Sequence, residues 1–86
     1  MALRFTRKFA DQYARLPATI QSKVDEALIL LESDYRHPGL HCHSIQGLSG
    51  IFEAYVDQKY RLTFERQVEL LILCNVDNHD ECLKNP

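Results

Sequence analysis

The chain has 86 residues, 45% of them hydrophobic and 26% charged, which is enough for one domain over residues 1–86 and too little for two. The formal net charge of −2 excludes a protein that holds nucleic acid through an overall basic field. There is no charged and apolar leader, no apolar run near the ~18–20 residues of a membrane span, and an odd number of cysteines. The sequence therefore predicts a cytoplasmic protein with reduced thiols.

The first third of the chain predicts one strand and two helices. Apolar and polar residues alternate from Leu3 to Thr6, and a threonine at that point can cap a helix. A short helix is predicted over residues 7–16, because Pro17 disfavours helical geometry in the residue before it. Pro17 suits the first turn of a second helix that runs to about Ser33. The shared apolar stripe of the two helices consists of Phe9, Tyr13, Leu16, Ile20, Val24, Leu28 and Leu31.

Residues 50–65 alternate between apolar and polar side chains, which predicts a β-hairpin with one apolar and one polar face. Opposed residues of an antiparallel pair point to the same side, so the apolar sets must match across the hairpin. The favoured register places Tyr55 opposite Arg61 and Glu53 opposite Thr63. A register shifted by two residues also matches the faces, but it sets two glutamates against each other.

The last apolar run, from Val68 to Val76, predicts a strand inside the sheet, buried on both faces. Before the hairpin, the segment from Asp34 to Leu40 is rich in turn residues. The element order is thus strand, helix, helix and then consecutive strands. It predicts an α+β fold, in which an N-terminal strand and a two-helix hairpin pack on one face of a mainly antiparallel, twisted sheet of 4–5 strands.

Several short segments carry a family resemblance over nearly the whole chain. They are Leu16-Pro17, His37-Pro38-Gly39-Leu40, Ile45-Gln46-Gly47, the hairpin from Phe52 to Phe64, and Asn78-His79-Asp80. Together these segments resemble the RelE/ParE superfamily of type II toxin–antitoxin toxins, in particular its RelE/YafQ-like branch.

The resemblance implies a toxin restrained by a cognate antitoxin, with roles in translation inhibition and plasmid stabilisation. RelE-branch toxins cut mRNA in the ribosomal A site without a metal or other cofactor. The expected reaction is attack of the ribose 2′-OH on the adjacent phosphate. The resemblance leaves two alternatives open: a non-catalytic ParE-like toxin that binds a protein such as DNA gyrase, and a catalytically weakened family member. No membrane partner is expected, and a homodimer is possible.

Three residues match catalytic positions of the family. Arg61 corresponds to the arginine that holds the scissile phosphate, a task suited to a planar and permanently charged guanidinium. His79 corresponds to a histidine beyond the last strand that acts as acid or base, since imidazole titrates near neutrality. His43 resembles a further histidine of the ribosome-dependent nucleases. The alternatives are a cross-strand ion pair for Arg61 and roleless surface positions for the two histidines.

Three more residues share the polar part of the hairpin with Arg61. Glu53 is predicted to act as a base or to orient Arg61. Tyr55 is predicted to stack on an RNA base, and Lys59 to add a phosphate contact. The alternative for all three is an ordinary solvated sheet surface.

Two observations count against parts of this interpretation. Leu83 stands where close relatives of the best-studied nuclease have an aromatic residue, and the chain lacks their lysine-rich strand, which weakens attraction to phosphates.

A metal site is the third interpretation of the chain. Its donors are His37, His41, Cys42 and His43, but neighbours in an extended segment point to opposite faces, so no metal is expected.

Overall fold

The computed structural model describes residues 1–79, so the predictions for Asp80, Cys82 and Leu83 lie outside the described residues. It has the α+β architecture expected from the sequence. No helix in the described part combines the length and apolar character that a membrane span requires. The elements are β1 (Ala2–Phe5), α1 (Arg7–Ala14), α2 (Ala18–Ser33), a 3₁₀ turn (Pro38–Leu40), β2 (His43–Ser44), β3 (Ile51–Tyr55), β4 (Tyr60–Gln67) and β5 (Leu70–Asn78).

The five strands form one sheet in the order β1-β5-β4-β3-β2. The pairs β2/β3, β3/β4 and β4/β5 are antiparallel, whereas β1 pairs with β5 in parallel. A parallel pair needs a long crossover, which here includes both helices and the three strands between them. The sheet is therefore mainly antiparallel, as predicted, with its first and last strands side by side.

The register of the central hairpin is confirmed. Tyr55 lies opposite Arg61 and Glu53 lies opposite Thr63. The side chain of Asp57 fixes the connecting turn, because one of its oxygens accepts two backbone N–H groups of the turn at 2.9 and 2.8 Å. This local hydrogen bonding is the reason that aspartate favours turns.

The start of α1 agrees with the sequence, whereas the end of α1 and the start of α2 each differ slightly. The Thr6 side chain caps α1 by accepting the N–H of Phe9 at 3.2 Å, and its hydroxyl donates to the Leu73 carbonyl at 2.8 Å. α1 ends at Ala14 rather than at residue 16, since the next two residues form tighter i→i−3 bonds. Pro17 is the N-cap of α2 rather than part of its first turn.

The core lies between the helices and one face of the sheet. The predicted start of the last strand is wrong: Val68 is 93% exposed and belongs to a tight turn with Glu69, whose φ is 57°. An antiparallel return from β4 to β5 needs such a turn, so the strand begins at Leu70. The buried core residues are Phe9, Val24, Ala27, Leu31, Leu40, Ala54, Leu62, Phe64, Leu71, Leu73 and Val76.

The end of β5 has no strand beside it on the β1 side, because β1 stops at Phe5. Gln12 on α1 supplies hydrogen bonds there: its side-chain oxygen accepts the N–H of Val76 at 2.9 Å, and its amide nitrogen donates to the buried Asn75. The register against β4 also shifts by one residue, which leaves Cys74 without a partner on β4. These features fix the end of β5, from which His79 extends.

Candidate active site

The polar face of the sheet carries two rows of side chains across neighbouring strands. In the first row, Glu53 on β3 lies opposite His43 on β2 and Thr63 on β4. In the second row, Tyr55 lies opposite Arg61. Side chains opposite each other have Cβ atoms about 4.5–5.5 Å apart, so the two rows form one cluster.

This cluster lines an open groove of about 360 Å³. Four of the residues predicted as catalytic from the sequence line it together, although they come from separate parts of the chain. Tyr55 and one residue that was not predicted for this role, His41, complete the lining. The groove residues are His41, His43, Glu53, Tyr55, Arg61 and His79.

Glu53 lies at the base of the groove and is buried. Its side chain is 3% exposed, and one oxygen, Oε1, is 3.5 Å from His43 Nε2 and 4.0 Å from Arg61 Nε. Its other oxygen, Oε2, has no hydrogen-bond partner among residues 1–79. A solvated surface is therefore the wrong interpretation for Glu53. A carboxylate removed from water requires nearby cations, which His43 (when protonated) and Arg61 supply.

The guanidinium of Arg61 is held in place from several sides. Its Nη1 donates to the carbonyl of Asp57, and to that of Tyr60 at 2.9 Å. Its Cζ lies 4.6 Å from the centre of the Tyr55 ring, a cation–π arrangement. The side chain is 18% exposed and lines the groove. Arg61 is thus oriented before any ligand arrives.

His79 reaches the groove because β5 runs alongside the hairpin turn. Its backbone N–H donates to the carbonyl of Lys59 at 2.6 Å, directly beyond the β4/β5 pairing. Its ring nitrogen Nδ1 is buried and has no hydrogen-bond partner in the described part of the chain. Buried polar atoms are nearly always paired in proteins, so the hydrogen bonding of this atom is incomplete within residues 1–79.

His43, the first residue of the edge strand β2, and His41, just before it, have different surroundings. His43 is 61% exposed, and its Nδ1 is 3.1 Å from the carbonyl of His41. His41 has φ of 47°, which is uncommon for a residue other than glycine, and its ring meets that of Tyr55 edge-on at 5.4 Å. The sequence presents His41 only as a possible metal ligand, because nothing in it signals the left-handed backbone at this residue.

Lys59 is the one predicted site residue outside the groove lining. It is exposed in the hairpin turn, and its backbone carbonyl, not its ammonium group, is in contact with a groove residue, His79. The turn lies at the end of the groove where Arg61 and His79 meet. A phosphate contact by Lys59 stays a prediction.

The donor-rich segment around Cys42 does not form a metal site. No group of three or more histidine, cysteine or acidic side chains in residues 1–79 is placed to hold a metal ion. Burial, and then the charge of Asp34, raises the pKa of Cys42 to about 11, so this thiol is protonated at neutral pH. A thiol binds metal or acts as a nucleophile as its thiolate, which makes Cys42 unsuited to either role.

Comparison with protein-family models and with curated protein sequences found no match. Solved structures with the same fold were found at low sequence identity. The YoeB/ParE toxin from Agrobacterium tumefaciens is 15% identical with a TM-score of 0.77, over 92% of this chain and 99% of that chain. The RelB–RelE antitoxin–toxin complex from Methanococcus jannaschii also gives 15% and 0.77, over 91% and 92%. The DinJ–YafQ complex from E. coli gives 17% and 0.72, over 92% and 93%.

These likenesses extend over nearly the full length of both chains in each comparison. At such low identity they establish the fold and not the activity. The chain has the fold of the RelE/ParE toxins, as the sequence resemblance implies.

Proposed function

We propose that this protein is the toxin of a type II toxin–antitoxin system and an mRNA endonuclease that needs no metal. The observation that carries the proposal is the placement of Arg61, His43 and His79 around one groove, over the buried carboxylate of Glu53. The shared fold with structures described as RelE, YafQ and YoeB/ParE toxins supports the toxin role. As with RelE-branch toxins, the proposed substrate is mRNA in the ribosomal A site.

The reaction is an intramolecular transesterification. The 2′-oxygen of one nucleotide forms a bond to the adjacent phosphorus, and the bond from phosphorus to the 5′-oxygen of the next nucleotide breaks. A base removes the 2′-proton, a cation stabilises the charge on the phosphorane oxygens, and an acid gives a proton to the leaving 5′-oxygen. The products carry a 2′,3′-cyclic phosphate and a 5′-hydroxyl.

Arg61 is the group proposed to bind the scissile phosphate. Its guanidinium is already held by the Asp57 and Tyr60 carbonyls and by the ring of Tyr55, so little reorganisation accompanies the reaction. Donors fixed where negative charge develops are commonly worth about 10²–10³ in rate. In this open groove, a guanidinium that is already held in place loses less side-chain freedom on binding phosphate than a flexible lysine would.

The two imidazoles are proposed to transfer the protons. His43 is exposed at one side of the groove, so RNA can reach it, and Glu53 faces its Nε2 at 3.5 Å. His79 also lines the groove, and its Nδ1 has no hydrogen-bond partner within residues 1–79. One histidine takes the 2′-proton while the other protonates the leaving oxygen. Histidine suits both tasks because its charge changes near neutral pH.

Glu53 is proposed to position the two cations rather than to act as the base. Its carboxylate is nearly inaccessible, and Oε1 is already shared between His43 and Arg61. Tyr55 offers an aromatic surface for a nucleobase beside the scissile phosphate, as single-stranded RNA recognition commonly uses. Lys59 extends the positive charge along the turn.

The partner proposed for the other side of the molecule is a cognate antitoxin. An apolar groove of about 310 Å³ lies between β1, α1 and α2, lined by Phe5, Phe9, Tyr13 and Leu28 with Asp25 at its polar end. Phe5 is 49% exposed there. An amphipathic antitoxin helix fits such a groove, and the outer edge of β1 can accept an added strand. The solved complexes of RelB with RelE and of DinJ with YafQ support this partner.

The same apolar groove favours the alternative, a ParE-like toxin that binds a protein target such as DNA gyrase without catalysis. A net charge of −2 also suits a protein target better than a ribosome. In that case the polar groove would be dispensable for toxicity.

The test is inducible expression with growth measurement and primer-extension mapping of mRNA. Wild type is expected to arrest growth and produce new mRNA 5′ ends, and Arg61→Ala is expected to lose both. Arg7→Ala, on the exposed part of α1, is the matched control and should behave as wild type. Growth arrest by wild type and Arg61→Ala alike, without mRNA cleavage, would overturn the nuclease and favour the protein-binding toxin.

A further inference from the structure

A second cavity, of about 400 Å³, adjoins the catalytic groove on the other side of His41. The catalytic proposal makes no use of it. Its polar lining is basic and comes from the end of β4 and the segment after α2, namely Arg36, His37, His41 and Arg66, with Tyr35 as the aromatic component. His41 lines both cavities, so they are neighbours on either side of that residue.

The two arginines are arranged on one aromatic ring. The Cζ atoms of Arg36 and Arg66 lie 5.3 and 5.5 Å from the centre of the Tyr35 ring. Arg36 Nε also donates to the Tyr35 hydroxyl at 3.2 Å. The ring itself packs edge-on against Phe52 and Phe64, with centroids 6.3 Å apart in both cases. Tyr35 is therefore a fixed support for two guanidinium groups.

Within residues 1–79, the guanidinium groups of Arg36 and Arg66 are not neutralised by carboxylates. Neither Arg36 nor Arg66 makes a salt bridge within residues 1–79. The carboxylate of Asp34 accepts the backbone N–H of Arg36 at 3.0 Å, but Asp34 does not line the cavity. A stacked guanidinium still presents the N–H groups along its edge, which bind phosphate oxygens in pairs. The cavity is a local cationic site in a chain whose net charge is −2.

His41 connects the two sites in an unusual backbone conformation. Its φ of 47° places it in the left-handed region, which is unfavourable for a residue with a side chain. Such conformations concentrate where a side chain must be aimed for function. Here the ring is aimed at Tyr55, and it stands between the groove and the basic cavity.

We propose that the cavity of Arg36 and Arg66 binds a second phosphate of the same RNA strand whose scissile phosphate lies at Arg61. The ligand class is single-stranded RNA, which passes over His41 from one cavity to the other. This inference rests on the proposed nuclease function. It explains how an acidic protein holds RNA: two small cationic sites act on one strand in place of an overall basic surface.

The test measures binding of uncleavable, 2′-O-methyl RNA by fluorescence anisotropy at several salt concentrations. The double variant Arg36→Gln/Arg66→Gln is compared with Arg4→Gln/Arg7→Gln, which removes the same charge from exposed positions on β1 and α1. Each single-stranded phosphate contact contributes about 0.7 to the salt slope, or about fivefold in affinity at 0.1 M salt. Loss of this one phosphate contact should therefore weaken binding of a six-nucleotide RNA about fivefold in the cavity variant, and much less in the control. A dinucleotide, which fills the groove alone, should bind both variants equally.

Equal losses for the two double variants would overturn the second subsite while leaving cleavage at Arg61 intact. A variant that keeps its RNA affinity but no longer binds a hexaglutamate peptide would overturn it too, and would assign the cavity to an acidic protein segment. If wild type neither binds nor cleaves RNA, the proposed function and this inference fail together. If wild type cleaves RNA but the cavity variant binds RNA as tightly as wild type, the second subsite is wrong and the proposed nuclease function stands.

Discussion

The two faces of the sheet are buried to similar extents at their centres, but by different means. On the helix side, Ala54, Leu62 and Phe64 are fully buried among other apolar side chains. On the groove side, Glu53 and Thr63 are buried as well, yet both are polar and both have an atom without a hydrogen-bond partner among residues 1–79. The helix side is stabilised by apolar packing, whereas the groove side buries polar groups whose hydrogen bonding is incomplete among residues 1–79.

This difference teaches where stability and chemistry lie. A buried polar group without a partner costs about 1–3 kcal/mol, so a chain selected for stability alone would have apolar residues there. Proteins depart from that rule mainly at functional sites. Changes on the helix side should therefore act on folding, and changes on the groove side should act on the reaction.

The largest effect is expected on the helix side. Phe64→Ala removes a ring that stacks on Phe52 at 5.5 Å and supports Tyr35, and it should lower the free energy of unfolding by about 3–5 kcal/mol. Urea denaturation followed by circular dichroism measures this. Val68→Ala, which is 93% exposed, is the control and should change stability by less than about 0.5 kcal/mol. If Phe64→Ala lowers the free energy of unfolding only slightly, the proposed division of stability and chemistry between the two faces is wrong.

The next effect concerns the exposed groove histidine. His43→Ala should reduce RNA cleavage by about 10²-fold or more while leaving the melting temperature within about 2 °C, because the side chain is 61% exposed. Single-turnover cleavage and thermal denaturation measure the two quantities. Ser44→Ala, the exposed neighbour on β2, is expected to cleave normally. Normal cleavage by His43→Ala would remove this residue from the mechanism.

A smaller effect separates a positioning role of Glu53 from a role as base. Glu53→Gln keeps the shape but removes the charge that pairs with Arg61 and His43. We expect kcat to fall about tenfold with KM little changed, since Arg61 and His43 lose the carboxylate that positions them. A loss of about 10³-fold or more, together with disappearance of the acidic limb of the pH–rate profile, would instead make Glu53 the general base.

The smallest effect tests the turn that holds Arg61. Partial burial alone would raise the pKa of Asp57, but the backbone N–H groups of Lys59 and Tyr60 and the ammonium of Lys23 lower it overall. A lowered folded-state pKa stabilises the fold above the unfolded value of about 3.9, and that stabilisation is lost as the pH falls through the folded pKa.

Wild type should therefore be more stable than Asp57→Asn at pH 6 by no more than about 1 kcal/mol, and this advantage should be lost as the pH falls through the lowered pKa of Asp57. Thermal denaturation across pH 2–7 measures the difference. An advantage that grows as the pH falls would contradict the assignment.

Much of the fold follows from local pattern. The alternation in residues 50–65 and the cost of opposing two glutamates predict the register that places Tyr55 opposite Arg61, and the register in turn places Glu53 beside them. The cap at Thr6 follows from side-chain chemistry alone. The candidate residues of the groove were also found, but through family resemblance in the case of His43 and His79, since spacing along the chain does not show that separate segments meet.

The remaining features depend on tertiary contacts. Alternation assigns Glu53 to the polar face but not its burial, which comes from neighbours on β2 and β4. The role of His41 depends on a left-handed backbone that residues such as glycine or asparagine would have signalled. The start of β5 was missed because Val68 is apolar, although the return from β4 requires it in a turn.

The most direct test of the central claim is the chemistry of the RNA ends produced by the purified protein on programmed ribosomes. The mechanism predicts a 2′,3′-cyclic phosphate or its 3′-phosphate hydrolysis product, a 5′-hydroxyl, and no cleavage when the nucleotide before the cut carries 2′-deoxyribose. Products with a 5′-phosphate, or continued cleavage of the 2′-deoxy substrate, would contradict it.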